Sequence, residues 1–495
     1  MKYKNPVLRG MYPDPSVCKA GDKYYMVCST FHLFPGVPLF ESEDMINWRQ
    51  IGHCLTRKSQ LNLDGALSSG GIFAPTIRYQ DGRFYMVTTN ESNQKNFYVT
   101  TDNIYGEWSE PIFVDQDGID PSLYFEDGHA YFMSTRGDDK GISCICMCEI
   151  DIASGAKKSD TKILWYGSGG RYIESPHLYK FGSYYYLVVA EGGTEYGHMV
   201  TYARSESMWG PFEEYPHNPV LTNRNLGGYA LQGAGHGDIV EDVHGNWWFM
   251  HLAFRQVDKW LPYHHLGRES CLEPLTWKED GWFTMGTEGT ARLEVEASDS
   301  VSFKEQELSY HKTFSNLDWK KDWCYLRNPE FDNYQMEKDS LSLRGTKVSL
   351  FDIDSPTFLG IRQDEFDMEL SCKVEAADQE AGITVYMDEK HHYDLAVEGD
   401  AVFLRYTIGC VSKEMKAVTN KGLGTTLKIK ADALGYYFYM VEDEEEIFMG
   451  KADTRYVSTE VASGFTGVIL GLYAVDPKEK GQWATFKEFQ LSHVE

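Results

Sequence analysis

From Asp14 to Phe249 the chain repeats one pattern of apolar and polar positions five times. The stretches are "DPSVCKAGDKYYMV" from Asp14, "APTIRYQDGRFYMV" from Ala74, "DPSLYFEDGHAYFM" from Asp120, "SPHLYKFGSYYYLV" from Ser175 and "HGDIVEDVHGNWWF" from His236. Each opens on a small or polar residue, followed by Pro (Gly237 in the fifth). Apolar positions, a Gly-containing turn and an alternating aromatic run come next. From Pro15 to Tyr25, Pro75 to Tyr85, Pro121 to Tyr131, Pro176 to Tyr186 and Gly237 to Trp247 the offset is always ten residues. Alternation with period two predicts strands, and Gly beside Asp, Asn or Ser predicts the turn between them. Proline has no N–H to donate to a ladder, so it belongs at a strand's beginning. The repeated element is therefore a β-hairpin.

A second repeat follows three of the hairpins: "SEDMINW", "TDNIYGEW" and "SESMWGPF", which reads as an outer strand with its turn. Successive openers are 60, 46, 55 and 61 residues apart. That suits propeller blades of about 40–50 residues with loops between them. The pattern predicts an all-β chain with a five-bladed β-propeller over residues 1–290. A β-sandwich with chance similarity is the alternative, but a sandwich requires no constant offset. Residues 291–310 are charged, lack the repeat and read as a connector. From 311 to 495 short alternating runs such as "TLKIKA", "YYFYMV" and "GVILGLYAV" predict a β-sandwich, with "EDEEE" as a solvated turn.

Composition narrows the partners. The net charge is 47 − 74 = −27, which repels nucleic acid and anionic membranes. Neither a signal-peptide core nor a run long enough to span a bilayer is present in the sequence, and the ten cysteines form no framework. Cys144, Cys146 and Cys148 fall on one face of a strand and read as buried thiols rather than zinc ligands, because Cys-x-Cys on a strand splays its sulfurs. Free thiols without a leader place the chain in the cytoplasm as an expectation.

Corresponding residues of a propeller start near its axis, so the five openers should converge. Three of those places carry an acid: Asp14, Asp120, and Glu174 just ahead of Ser175. Crowded carboxylates raise one another's pKa, so at least one should keep its proton near neutral pH. A protonated acid beside an ionised one is what glycosidic cleavage uses, one protonating the leaving oxygen and the other activating water. Turn capping is the plain alternative for any single Asp-Pro.

Taken together, "YPDPS", "SSGGIFAPTIRY", "GIDPSLYFEDG", "YIESPHLYK", "QGAGHGDIVED", "GNWW" and "LGRES" resemble glycoside hydrolase family 43, in its two-domain β-xylosidase and α-L-arabinofuranosidase branch. The resemblance is looser over the carboxy-terminal part, which it implies is a concanavalin-like sandwich. It implies an inverting exo-acting enzyme that removes a terminal pentose, β-D-xylose, from short oligosaccharides and requires no cofactor. A mainly α-L-arabinofuranosidase activity is the alternative. A non-catalytic sugar-binding or scaffold propeller is the reading from another class. By the resemblance Asp14 is the general base and Glu174 the general acid, while Asp120 holds the acid and keeps its pKa raised. Arg268, Phe31 and Phe73 would contact the sugar. His236 would border an axial cavity, either as a hydrogen-bonded histidine or beside a structural calcium ion ligated largely by water. Ile469, in "FTGVILG", falls where relatives carry a phenylalanine that shuts the pocket. Such enzymes often form homo-oligomers, though no motif here specifies one.

Overall fold

The computed structural model of the chain describes residues 2–296, 303–418 and 424–493; residues 297–302 of the expected connector lie outside them. The repeats are strands one and two of five four-stranded antiparallel sheets. In the first, Ser16–Ala20 pairs with Lys23–Val27, followed by Gly36–Ser42 and Arg49–Leu55. The later hairpins join Thr76–Gln80 to Arg83–Asn90, Ile119–Glu126 to His129–Gly137, Glu174–Phe181 to Tyr184–Glu191, and Leu231–Glu241 to Trp247–Arg255. The constant offset has a direct cause. In four of the five hairpins the same aromatic position of strand two faces the same strand-one position: Cys18 opposite Tyr25, Arg78 opposite Tyr85, Tyr124 opposite Tyr131 and Tyr179 opposite Tyr186; in the fifth Trp247 faces Glu241, one residue further on. The second repeat is the turn between strands three and four of its sheet.

Apolar seams between neighbouring sheets show that the five close into a ring. Tyr25, Val27 and Leu39 of the first meet Ile77, Met86 and Val99 of the second. Val87 and Tyr98 meet Leu123 and Phe132. Met133 and Met147 meet Leu187 and Val189. Val188 and Tyr202 meet Phe249 and Phe283. Met250 and Leu272 of the fifth then return to Val17 and Met26 of the first. This is a five-bladed propeller. The amino terminus fastens it: Lys2–Lys4 pairs with Glu294–Glu296, beyond the fifth blade. Asn5 donates through Nδ2 to the carbonyls of Leu272 and Arg292 and accepts from the Leu272 N–H.

The carboxy-terminal part is a sandwich of one eight-stranded and one six-stranded antiparallel sheet. Ile383, Val385, Leu395 and Leu404 of the smaller sheet bury against Leu370, Leu427, Phe438 and Phe486 of the larger. Alternation gives the smaller sheet a second apolar face, with Phe358, Tyr386 and Ile469, which packs on Met11 and Leu33 of the propeller. The short strand Tyr325–Leu326 pairs with Leu33–Phe34 across that junction. Glu442–Glu446 forms the expected hairpin turn, with Asp443 and Glu444 at positive φ. Cys144, Cys146 and Cys148 are buried free thiols on one strand.

Candidate active site

Four of the five openers share an unusual backbone. Asp14, Asp120, Ser175 and His236 have φ of 57, 52, 57 and 40°, in the left-handed region that non-glycine residues rarely occupy. Only Ala74 does not. Ladder register breaks at the openers of blades three, four and five, between Ile119 and Ser122, Glu174 and His177, and Gly235 and Gly237. These bulges bend the strand ends so that the opener, or its neighbour Glu174, projects into the axial funnel. Strain of this kind recurs where function requires it.

The seven residues singled out in the sequence come together. Asp14, Asp120, Glu174, Arg268, His236, Phe31 and Phe73 all line one cavity of about 880 Å³. Asp14 is buried. Its Oδ1 accepts from Arg268 Nη1 at 3.0 Å and its Oδ2 from the Ser29 hydroxyl at 2.5 Å. His236 Nδ1 lies 3.7 Å from Asp14 Oδ1 and 3.9 Å from Asp120 Oδ2, between the two acids. Asp120 Oδ2 accepts from the Ser175 N–H at 3.2 Å, which ties it to the strand that carries Glu174.

These environments pull the acids apart. Burial raises the Asp14 pKa, but Arg268, His236 and the Ser29 hydroxyl outweigh it, leaving Asp14 below the ordinary carboxylate value. Burial and then the Asp14 charge lift Glu174 to about 7, with Arg268 opposing. Asp120 is raised well above its usual value by burial, Glu174 and Asp14. Near pH 6 the site thus holds an ionised Asp14 and a protonated Glu174. Burial lowers the His236 pKa, with the Asp14 charge opposing.

Arg268 Nη1 also donates to Thr194 Oγ1, at 2.8 Å, while its buried Nε has no hydrogen-bond partner among the described residues. A donor fixed by its neighbours and left unpaired suits a sugar hydroxyl. Phe31 and Phe73 meet edge to face, with centroids 5.9 Å apart. A third ring completes them: Phe465 of the sandwich stacks on Phe31 at 6.0 Å and meets Phe73 edge-on at 6.0 Å. Phe465 is the closing aromatic, and Ile469 is not. Ile469 begins the strand Ile469–Val475 and points into the propeller–sandwich junction, 2% exposed. Phe465 precedes that strand in a loop, and its N–H donates to Ser69 Oγ at 2.8 Å. Glu460, in the short helix just before, accepts from the His264 N–H and the Tyr196 hydroxyl of the propeller.

A second polar tier lies two residues beyond the openers. Asp238 is fully buried on the axis, held to about 2 because Arg78, His177 and Ser16 outweigh the effect of burial. Arg78 reaches it from blade two with both Nη atoms, at 2.6 and 3.2 Å, and Nη2 also lies 2.8 Å from His177 Nδ1. Ser16 and Tyr179 donate their hydroxyls to the same carboxylate. Blades one, two, four and five thus meet in one cluster on the axis.

Comparison with known proteins agrees with this architecture. The family model for glycosyl hydrolases family 43 matches residues 3–283, and that for the beta xylosidase C-terminal concanavalin A-like domain matches residues 311–492. The chain is 39% identical to a non-reducing end alpha-L-arabinofuranosidase of Bacteroides ovatus, over 95% of this chain and 91% of that protein. It is 35% identical to a xylosidase/arabinosidase of Butyrivibrio fibrisolvens, over 99% of both. The crystal structure of a xylan beta-1,4-xylosidase from Bacillus halodurans superposes with a TM-score of 0.92 at 32% identity, covering 99% of this chain and 100% of that one.

Proposed function

The chain belongs to glycoside hydrolase family 43, an inverting family of glycosidases, and from that premise we propose that it removes a terminal β-D-xylose from short xylo-oligosaccharides by single displacement. Asp14 takes a proton from water as that water attacks the anomeric carbon. Glu174 gives its proton to the departing glycosidic oxygen, and Asp120 orients the strand of the acid through Ser175. The observation that carries this assignment is the opposite displacement of the Asp14 and Glu174 pKa values within one cavity. The Arg78–Asp238 tier supports exo action, because it fills the axis and a glycan cannot thread through.

An α-L-arabinofuranosidase activity is the second reading, favoured by the printed activity of the Bacteroides ovatus relative. Pockets that discriminate by shape separate close analogues by only about 10–200-fold. Turnover of 4-nitrophenyl β-D-xyloside should exceed that of the α-L-arabinofuranoside. A reversed preference of more than about tenfold would make the arabinofuranoside the main substrate.

We further propose that His236 serves as a neighbour of the Asp14 and Asp120 carboxylates rather than beside calcium. The residues present do not fit that ion. Calcium requires six to eight oxygen ligands. The Asp238 carboxylate on the axis already accepts from Arg78, Ser16, Tyr179 and the Val17 N–H, and Asp14 beside His236 accepts from Arg268 and Ser29. Among the described residues no three His, Cys, Asp or Glu side chains converge as a metal site. Dialysis against a chelator, followed by calcium addition, should leave kcat and Tm unchanged; recovery of lost activity by calcium would restore the metal reading.

A further inference from the structure

The cavity opens past a residue that the displacement reaction does not use. Tyr172 lies two positions ahead of Glu174 and lines the same cavity, while Ile173 between them turns into the core. Tyr172 is 49% exposed, so little of its ring serves packing. Its φ is 53°, a left-handed conformation that is costly for a bulky side chain.

The surrounding backbone is nonetheless held firmly. The fully buried Glu191 carboxylate accepts from the Ser168 N–H at 2.7 Å and the Gly170 N–H at 2.6 Å. The Gly192 N–H donates to the Arg171 carbonyl at 2.7 Å. The Cδ2–Cε2 side of the ring lies against Gly193, where a methyl group would come to 3.4 Å of Cδ2. Over one face of the ring the Arg171 guanidinium sits 4.8 Å from the centroid and donates to the Tyr172 hydroxyl at 2.6 Å, so a partner can stack only on the opposite face. An exposed aromatic face in a strained backbone, fixed before any ligand arrives, suits stacking on a flat apolar partner.

The chemistry says which part of the substrate reaches it. Glu174 must meet the glycosidic oxygen, so the leaving sugar lies on the solvent side of that carboxyl. The buried floor, with Asp14, Arg268 and Phe31, takes the terminal sugar, with Phe73 and Phe465 beside it. We propose that Tyr172 forms the platform for the leaving-group sugar, a neutral pyranose whose C–H face stacks on the ring, and so sets the preference for oligosaccharides over simple xylosides. This rests on the pentosidase reading above.

Two substrates separate the roles. Xylobiose carries a leaving sugar; β-D-xylosyl fluoride places the same xylose on the floor and has none. Y172A should lower kcat/KM for xylobiose about tenfold, the scale of one aromatic contact, mostly through KM, and leave xylosyl fluoride within about twofold. Y172F should stay within about twofold of the unaltered enzyme on both, since the face and not the hydroxyl does the stacking. Equal losses of Y172A on the two substrates, or no loss on xylobiose, would overturn the platform. If the unaltered enzyme turned over neither substrate, the pentosidase reading would fall and this inference with it.

Discussion

Asp14→Asn should lower kcat/KM about 10³-fold, by a similar factor for every substrate whatever its leaving group. Water attack is part of each transition state, and an amide cannot take up the proton that water must lose. The substitution keeps the side chain's shape and an oxygen for the Ser29 hydroxyl to donate to, so the fold should survive. It also removes the charge that helps to lift Glu174. The sign follows: with less negative charge nearby, Glu174 gives up its proton more readily. The alkaline limb of the residual activity should therefore move to lower pH. A loss under tenfold, or an unmoved alkaline limb, would remove Asp14 from the role of base.

Glu174→Ala should produce a loss that depends on the leaving group. The xylose that leaves from xylobiose departs as an alkoxide unless it is protonated, so kcat/KM for xylobiose should fall about 10³–10⁴-fold. A 2,4-dinitrophenyl xyloside, whose phenolate leaves unaided, should lose less than about tenfold. In the unaltered enzyme Glu174 is active only while protonated. Activity should hold below its value of about 7 and decline above it, by about tenfold per pH unit. That decline should vanish in the Ala variant with the dinitrophenyl substrate. If the Ala variant lost xylobiose and dinitrophenyl xyloside turnover equally, Glu174 would not be the proton donor.

Both expectations start from residues that the sequence marks, and the reason is physical. A hairpin is local: its register sets a fixed distance from Pro15 to Tyr25 or from Pro121 to Tyr131, so closure of the ring is written as repetition. The openers inherit that regularity, which is why Asp14, Asp120 and Glu174 could be placed together before any coordinates. Phe465 could not. It reaches Phe31 because one face of the six-stranded sheet docks on Met11 and Leu33, and docking of distant segments leaves no periodicity. Within "FTGVILG" the alternating run made Ile469 conspicuous, yet alternation marks a strand and so a packed interior position. The better signal was the glycine pair Gly464 and Gly467 around Phe465, a loop able to lay a ring against another surface; a side chain at Gly467 would strike the Leu266 backbone. Arg78 went unnoticed because "TIRY" reads as an ordinary strand, and only the axis reveals that its partner Asp238 lies three blades on.

Fastening the propeller with its first strand has a consequence for synthesis. Lys2–Lys4 can pair only once all five blades and Glu294–Glu296 beyond them have followed it from the ribosome. Phe465, which closes over Phe31, follows later still. A nascent chain interrupted before Glu294–Glu296 therefore has an unfastened ring, and one interrupted before Phe465 has an open pit.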